Sequence, residues 1–522
     1  MSRKIRILLT LVVVAGIFGY RYVRDHTPSA AAATSVTATA AGAAKATPVA
    51  TRKLGNIVFT PCTLAPQFGA ASVEAQCGKL SVAENPALPN GRRIALNIAW
   101  VPADEEAEVM LDPVFMLAGG PGQAATESYP QVAAAFREVL KKRNVILVDQ
   151  RGTGESNPLP CKDAQGKSAT ADSGDTASID EARRFAERCR DELSKTADLR
   201  FYTTTDAIRD LDDVRKAIGA VQINLVGISY GTRVAQQYAL RYPHSTRTLV
   251  LDSVAPNTLI LGNEFAGNLE SALDLQFGQC GKTPACAKAL GNPRSRLDTL
   301  MAKLKSDPPL VRYRDANSGA LKEERLLSGD IAGLMRMYAY APIASSLLPL
   351  QLNEAAGGRY DGLKALSEML SSQLAEQITQ GMQLSVICSE DAAGFKTDPS
   401  ADGTLLGNDM AEFLGAQCQV WPKGAVPANF HAPLASKVPA LLLSGEFDPV
   451  TPPRYGDAVV KMLANGRHLV LRGQGHNVIG AGCMPKLFAQ FIDAANAKSL
   501  DAKCVDTLPY TPPFTSFNGW EP

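Results

Sequence analysis

The sequence predicts a doubly wound α/β fold interrupted by a helical insertion, and three observations carry that prediction. Short runs rich in Val, Ile and Leu recur at Val114–Leu117, Val145–Val148, Ile223–Val226, Leu249–Leu251 and Ala440–Leu443. They are apolar on both faces, as buried parallel strands require. Helical segments separate them. Between about Pro256 and Pro433 the alternation stops and helical spacing takes over. Alternating strands and helices build a mostly parallel sheet, and the helical stretch reads as a cap over the site.

Each element has its own signal. Val58–Cys62, Leu80–Glu84 and Arg93–Trp100 read as strands ahead of the parallel set, the last two joined through Asn90-Gly91. Thr205–Ile218 reads as a helix, with Asp206 in its first turn, Ile208, Leu211 and Val214 on one face, and Gly219 as its stop. Within the insertion, Ile331, Leu334, Met335 and Tyr338 follow i, i+3, i+4, i+7 spacing. The division that results is a signal peptide or signal anchor (1–24), an Ala/Thr-rich tether (25–53), a first core part (54–255), a helical cap (256–433) and a C-terminal core part (434–522).

The N-terminus sets the compartment. Arg3, Lys4 and Arg6 precede an apolar run, Ile7–Tyr20, the pattern of a secretory signal. The run is somewhat short for a full span of about 20 residues. Arg21 and Arg24 follow at once, so an uncleaved anchor that tethers the protein to the membrane stands beside the cleaved signal. Either way the body is exported, to the periplasm or the extracellular space. In an exported chain, ten cysteines read as a disulfide framework. Sequential pairing is the simplest arrangement: Cys62–Cys77, Cys161–Cys189, Cys280–Cys286, Cys388–Cys418 and Cys483–Cys504.

Composition removes several functions. Across 522 residues, 53 Lys plus Arg balance 52 Asp plus Glu, without the basic excess of a nucleic-acid binder. No Cys-x-x-Cys, His-Glu-x-x-His or Gly-x-Gly-x-x-Gly occurs, so no metal or organic cofactor is expected. Gly281-Lys282-Thr283 and Gly166-Lys167-Ser168 resemble the end of a phosphate loop. Gln276 and Cys161, however, stand where its first glycine belongs.

The chemistry gathers at strand ends. The strand ending at Val226 runs into Gly227-Ile228-Ser229-Tyr230-Gly231, and a helical segment follows. This is a nucleophile elbow in the context it needs, with Ser229 on a tight turn between small neighbours. A serine nucleophile needs a base, and the base needs an orienting acid. Of five histidines, His476 in Gly473-Gln474-Gly475-His476 follows the last strand and is the best base. Asp448, after Ala440–Leu443, is the favoured acid, with Asp252 its competitor. The order Ser229, Asp448, His476 is that of α/β-hydrolases. The oxyanion donors expected are the amides of Tyr230 and of Gly120, the latter in Leu117-Ala118-Gly119-Gly120-Pro121-Gly122.

Gly119-Gly120-Pro121-Gly122, Asp149-Gln150-Arg151-Gly152-Thr153-Gly154-Glu155-Ser156, Gly227-Ile228-Ser229-Tyr230-Gly231 and the Asp448 and His476 segments together resemble the prolyl/tripeptidyl aminopeptidase family of α/β-hydrolases. The likeness is greatest to its secreted tripeptidyl aminopeptidase-like members and runs from about Val58 to Cys504. It implies a serine exopeptidase acting as a monomer on peptide substrates with free N-termini. It also implies an acidic cap segment that receives the substrate ammonium, for which Glu390 and Asp391 are the candidates, the alternative being solvated charges beside a disulfide. Asp149 and Arg151 are expected to brace the loop beneath the oxyanion site. Ala118 stands where prolyl aminopeptidases often carry histidine, which argues against strict proline specificity. A carboxylic-ester hydrolase with the same triad is the main alternative, and a non-catalytic envelope binding protein is a third.

Overall fold

The computed structural model describes residues 50–66, 70–104, 108–162, 178–316 and 318–519. The N-terminal apolar run, most of the tether and Gly166-Lys167-Ser168 lie outside them. Ten strands form one sheet: β1 (Arg52–Leu54), β2 (Ile57–Leu64), β3 (Val73–Ala83), β4 (Arg93–Val101), β5 (Val114–Leu117), β6 (Val145–Val148), β7 (Ile223–Ile228), β8 (Thr246–Asp252), then β11 (Ala440–Gly445) and β12 (Gly466–Leu471). Their spatial order is β1-β2-β3-β4-β6-β5-β7-β8-β11-β12. The first five in that order pair antiparallel, and every pairing from β6–β5 onward is parallel. Strands β5 and β6 are buried at every residue, so alternation is absent where helices cover both faces.

Two apolar cores flank the sheet. One face packs under helices α1 (Ala125–Val132) and Met484–Ala494, with Phe115's neighbour Met116, Tyr129, Phe136 and Phe488 at its centre. The other packs under α2 (Ile179–Leu193), α3 (Thr204–Ala217) and α4 (Tyr230–Arg241). Helix α3 begins as its sequence demands. Thr203 accepts from the Asp206 amide while Asp206 accepts from the Thr203 amide, a reciprocal cap that satisfies two otherwise orphaned donors.

The stretch 256–433 is not one body. Its first part, including α5 (Phe265–Lys282) and α6 (Ser328–Tyr338), has a core of its own around Leu273, Leu300, Ile331, Met335 and Leu352. It also contains a hairpin, β9 (Leu310–Arg314) with β10 (Leu321–Arg325), where only helical pattern was expected. Its second part, α7 (Gln380–Glu390) and α8 (Asp409–Val420), joins the core of the α/β body through Met382, Leu384, Val386, Leu414 and Trp421. All ten cysteines pair in sequence: Cys62–Cys77, Cys161–Cys189, Cys280–Cys286, Cys388–Cys418 and Cys483–Cys504. The fourth clamps α7 to α8. Among the described residues no helix is long and apolar enough to cross a membrane.

Candidate active site

Strand β7 delivers Ser229 to a sharp turn. Ser229 has φ 56° and ψ −123°, a conformation that costs a non-glycine residue about 1–3 kcal/mol and persists only where its surroundings impose it. The surroundings do so by close approach. A Cβ on Gly227 would stand 2.3 Å from the Gly231 carbonyl oxygen, and one on Gly231 would stand 2.2 Å from the Leu117 carbonyl oxygen. The elbow therefore fits against β5 only with glycine at both places. Ser229 donates its amide to the Asp252 carbonyl at 2.9 Å, and Thr232 returns to the Ser229 carbonyl.

Across β8 lies the His476 loop. Asp252 is wholly buried and accepts from the Val478 and Ile479 amides at 2.8–3.0 Å. Ser253 Oγ accepts from the Asn477 amide. One residue, Asp252, thus binds the Ser229 turn through its backbone and the His476 turn through its carboxylate. Burial raises its pKa to about 6 against the pull of those amides and of His476. Ser229, Ser253 and Asn477 all have positive φ, so strained backbone concentrates here.

Of the two acids, Asp448 is the one that meets the His476 ring. His476 Nδ1 lies 2.9 Å from Asp448 Oδ2, and both side chains are nearly or fully buried. Asp448 also accepts from the Val450 and Thr451 amides and from Thr451 Oγ1 at 2.8–2.9 Å. Burial opposes its ionisation, but His476 and these donors outweigh burial and hold its pKa below the ordinary carboxylate range. For His476, burial disfavours the imidazolium, yet Asp448, with help from Asp252, outweighs burial and raises the pKa above 6.5. Asp252 instead anchors the loop. Thr451, whose hydroxyl lies 3.3 Å from His476 Nδ1, was not singled out in the sequence; its position three residues after Asp448 is the signal that could have found it. The other described histidines are placed elsewhere: His468 binds Asp457 and Ser444, His431 bridges two backbone carbonyls, and His244 is exposed.

The glycine loop lies against the nucleophile. A Cβ on Gly119 would stand 3.2 Å from Ser229 Cβ, and Gly120 adopts φ 102°. Tyr230 opens α4, so its amide has no acceptor within the helix. Beneath the loop Asp149 is fully buried and accepts from Asn97, Thr126 and the Glu155 amide. Arg151 pairs with Asp210 through two hydrogen bonds of 2.6 and 2.7 Å. Asp149 thus ties β4 to Thr126 and the Glu155 turn, and Arg151 ties α3 to the Glu84 and Phe201 carbonyls.

Glu390 and Asp391 are both buried. They are not solvated charges, and Asp391 is not free to meet a substrate. Asp391 is fully buried in an ion pair with Arg233, at 2.9 Å. Glu390 spends both oxygens on Thr204, accepting from its amide at 2.6 Å and its hydroxyl at 2.9 Å. Thr204 Oγ1 continues to the Tyr230 hydroxyl at 2.5 Å, and Gln150 donates to the same hydroxyl at 3.2 Å. Tyr230 and Arg233 stand one turn apart on the elbow helix, so the acidic end of α7 is bolted to that helix. Burial pushes Glu390 up to about 8, partly offset by Arg233, with Asp391 adding to the rise.

An elbow serine, a mostly parallel sheet with helices on both faces and a histidine loop after the last strand define a serine hydrolase of the α/β-hydrolase fold. Within the chain, residues 112–286 match the model described as alpha/beta hydrolase fold, and residues 404–504 the model described as TAP-like protein. The chain is similar to the serine protease Hip1 of Mycobacterium tuberculosis, 26% identical over 491 residues covering 87% of this chain and 92% of that protein. It is also similar to the tripeptidyl aminopeptidase of Streptomyces lividans, 30% identical over 190 residues, 34% of this chain and 35% of that one. The putative hydrolase YuaR of Escherichia coli is 22% identical over 478 residues, 82% of this chain and 88% of that protein.

Proposed function

We propose that the protein is an exported serine exopeptidase that hydrolyses peptide bonds near free N-termini through an acyl-enzyme. The observation that carries the reading is the 2.9 Å contact of His476 with buried Asp448, on a loop tied through Asp252 to the Ser229 elbow. Ser229 attacks the acyl carbon while His476 takes its proton and Asp448 holds the imidazolium. The amides of Gly120 and Tyr230 bind the oxyanion, where each donor aimed at developing charge is worth about 3 kcal/mol. His476 then protonates the leaving amine, and water releases the acyl group with His476 again as base. The first part of the stretch 256–433, with the separate core around α5 and α6, acts as the lid. Similarity to a serine protease and to a tripeptidyl aminopeptidase favours peptide substrates over esters, and five disulfides favour an oxidising compartment. Of the acidic pair, Glu390 and Asp391 act as positioning residues for the elbow helix.

Chromogenic peptides with free and with acetylated N-termini test this. The free forms are cleaved at least tenfold faster. Equal rates on both, or cleavage of acyl esters alone, refute the exopeptidase reading in favour of an endopeptidase or an esterase.

A further inference from the structure

A cation of the cap lies one helical turn before Tyr340, whose ring packs on His476. Arg336, in α6, is half-buried, with its guanidinium over the Phe265 ring at 4.9 Å and its Nη1 3.9 Å from Met410 Sδ. Tyr340 follows it by four residues, just past the end of α6. Tyr340 in turn packs edge-on against the His476 ring, centroids 4.9 Å apart, and its carbonyl accepts the His476 amide at 2.8 Å. Tyr340 therefore carries the end of the Arg336 helix to the His476 ring.

The surroundings of Arg336 are unlike those of the protein's deeply buried arginines. Arg143, Arg151 and Arg233 each have a carboxylate within 2.9 Å. Among the described residues no carboxylate forms an ion pair with Arg336; an aromatic ring and a thioether are its neighbours. These hold the stem and one face of the fork and leave donors unspent. Its charge also opposes charging of His476, the state catalysis must pass through. A half-buried guanidinium that works against the base of its own site is an arrangement that an incoming anion corrects.

We infer that Arg336 receives a carboxylate carried by the leaving half of the substrate. The half is assigned by chemistry, resting on the peptidase reading above: His476 hands its proton to the departing amine, so the group next to the imidazole meets the residues that follow the scissile bond. The carboxylate is either the C-terminal carboxylate of a short peptide or an acidic side chain close behind the cleaved bond. Planar guanidinium and planar carboxylate pair through two parallel hydrogen bonds. The same contact neutralises the field at His476 during proton transfer, so Arg336 is a specificity-determining residue.

Four tetrapeptides with free N-termini test it: Ala-Ala-Ala-Ala with a free C-terminus, its C-terminal amide, and Ala-Ala-Ala-Asp and Ala-Ala-Ala-Asn, both as amides. Values of kcat/KM are read from product masses. For wild type, one carboxylate-bearing peptide exceeds its neutral counterpart by about 10–100-fold, the range of a charge-assisted hydrogen bond. The acid–amide pair at the C-terminus and the Asp–Asn pair tell the two sources apart. In R336Q that ratio falls to about one, and R336K keeps part of it. A wild-type ratio near one for both pairs overturns the inference and leaves the peptidase reading intact, as does an R336Q variant that slows all four peptides equally. Cleavage of none of the four by an enzyme that hydrolyses esters overturns both.

Discussion

Replacing Glu390 with glutamine should make the protein more stable at pH 8 and change it by less than about 1 kcal/mol near pH 5. The buried carboxyl titrates at about 8 in the fold and at an ordinary 4.5 in the unfolded chain. At pH 5 the folded state holds the proton, while about three-quarters of unfolded chains have released it, a difference still under about 1 kcal/mol. As pH rises, the unfolded chain releases it while the folded one must keep it, so stability falls until the folded group titrates too. The full difference corresponds to ~5 kcal/mol, and relaxation around the Thr204 contacts brings the expected effect to ~2–4 kcal/mol. Asp252 contributes a similar fall between about 4 and 6, and the raised His476 loses its contribution as pH passes its own pKa. Both persist in the variant, so the difference between wild type and E390Q isolates Glu390. The amide can still accept from the Thr204 amide and face its hydroxyl. With an unfolding entropy of roughly 1 kcal/mol per degree for a chain of 522 residues, Tm of E390Q should exceed that of wild type by ~2–4 °C at pH 8. Differential scanning fluorimetry from pH 5 to 8.5 measures it. Parallel curves, or a less stable E390Q at pH 8, refute the buried-carboxyl account.

Further outcomes follow from the same contacts. The acid limb of the kcat/KM profile should lie above 6.5, because His476 must be neutral to accept the Ser229 proton and its pKa is raised; D448N should move that limb down, and an unmoved limb argues against the pair. Gly231→Ala drives a Cβ into the Leu117 carbonyl at 2.2 Å; loss of at least 90% of activity and a lowered Tm are expected, and wild-type activity excludes the stated fit of elbow to β5. Replacing Cys388 and Cys418 together by serine opens a link spanning 30 residues, worth ~3 kcal/mol; calorimetry showing no loss of stability contradicts a role in clamping α7 to α8.

Much of the fold can be read from local signals. Strands β5 and β6 run over the residues their apolar runs mark, and α3 starts at a cap written into Thr203 and Asp206. The elbow is legible because its glycines answer to backbone atoms only a few residues or one strand away. What stayed hidden depends on distant partners. Glu390 and Asp391 look like surface charges until Thr204 and Arg233, 186 and 158 residues away, are brought to them. Asp252 and Asp448 both follow apolar strands, and only the amides of Val478 and Ile479 take Asp252 out of the competition. The hairpin β9–β10 carries alternate Val311 and Tyr313 on one strand but an almost wholly polar partner, too little pattern to separate it from loop.

The central claim is that Ser229, served by His476 and Asp448, is the nucleophile. Treatment with a fluorophosphonate followed by peptide mapping tests it most directly. One adduct is expected, on the peptide containing Ser229, absent from S229A and at least a hundredfold slower to form in D448N and H476A. An adduct on another serine, or none on wild type that is folded by circular dichroism, contradicts the account.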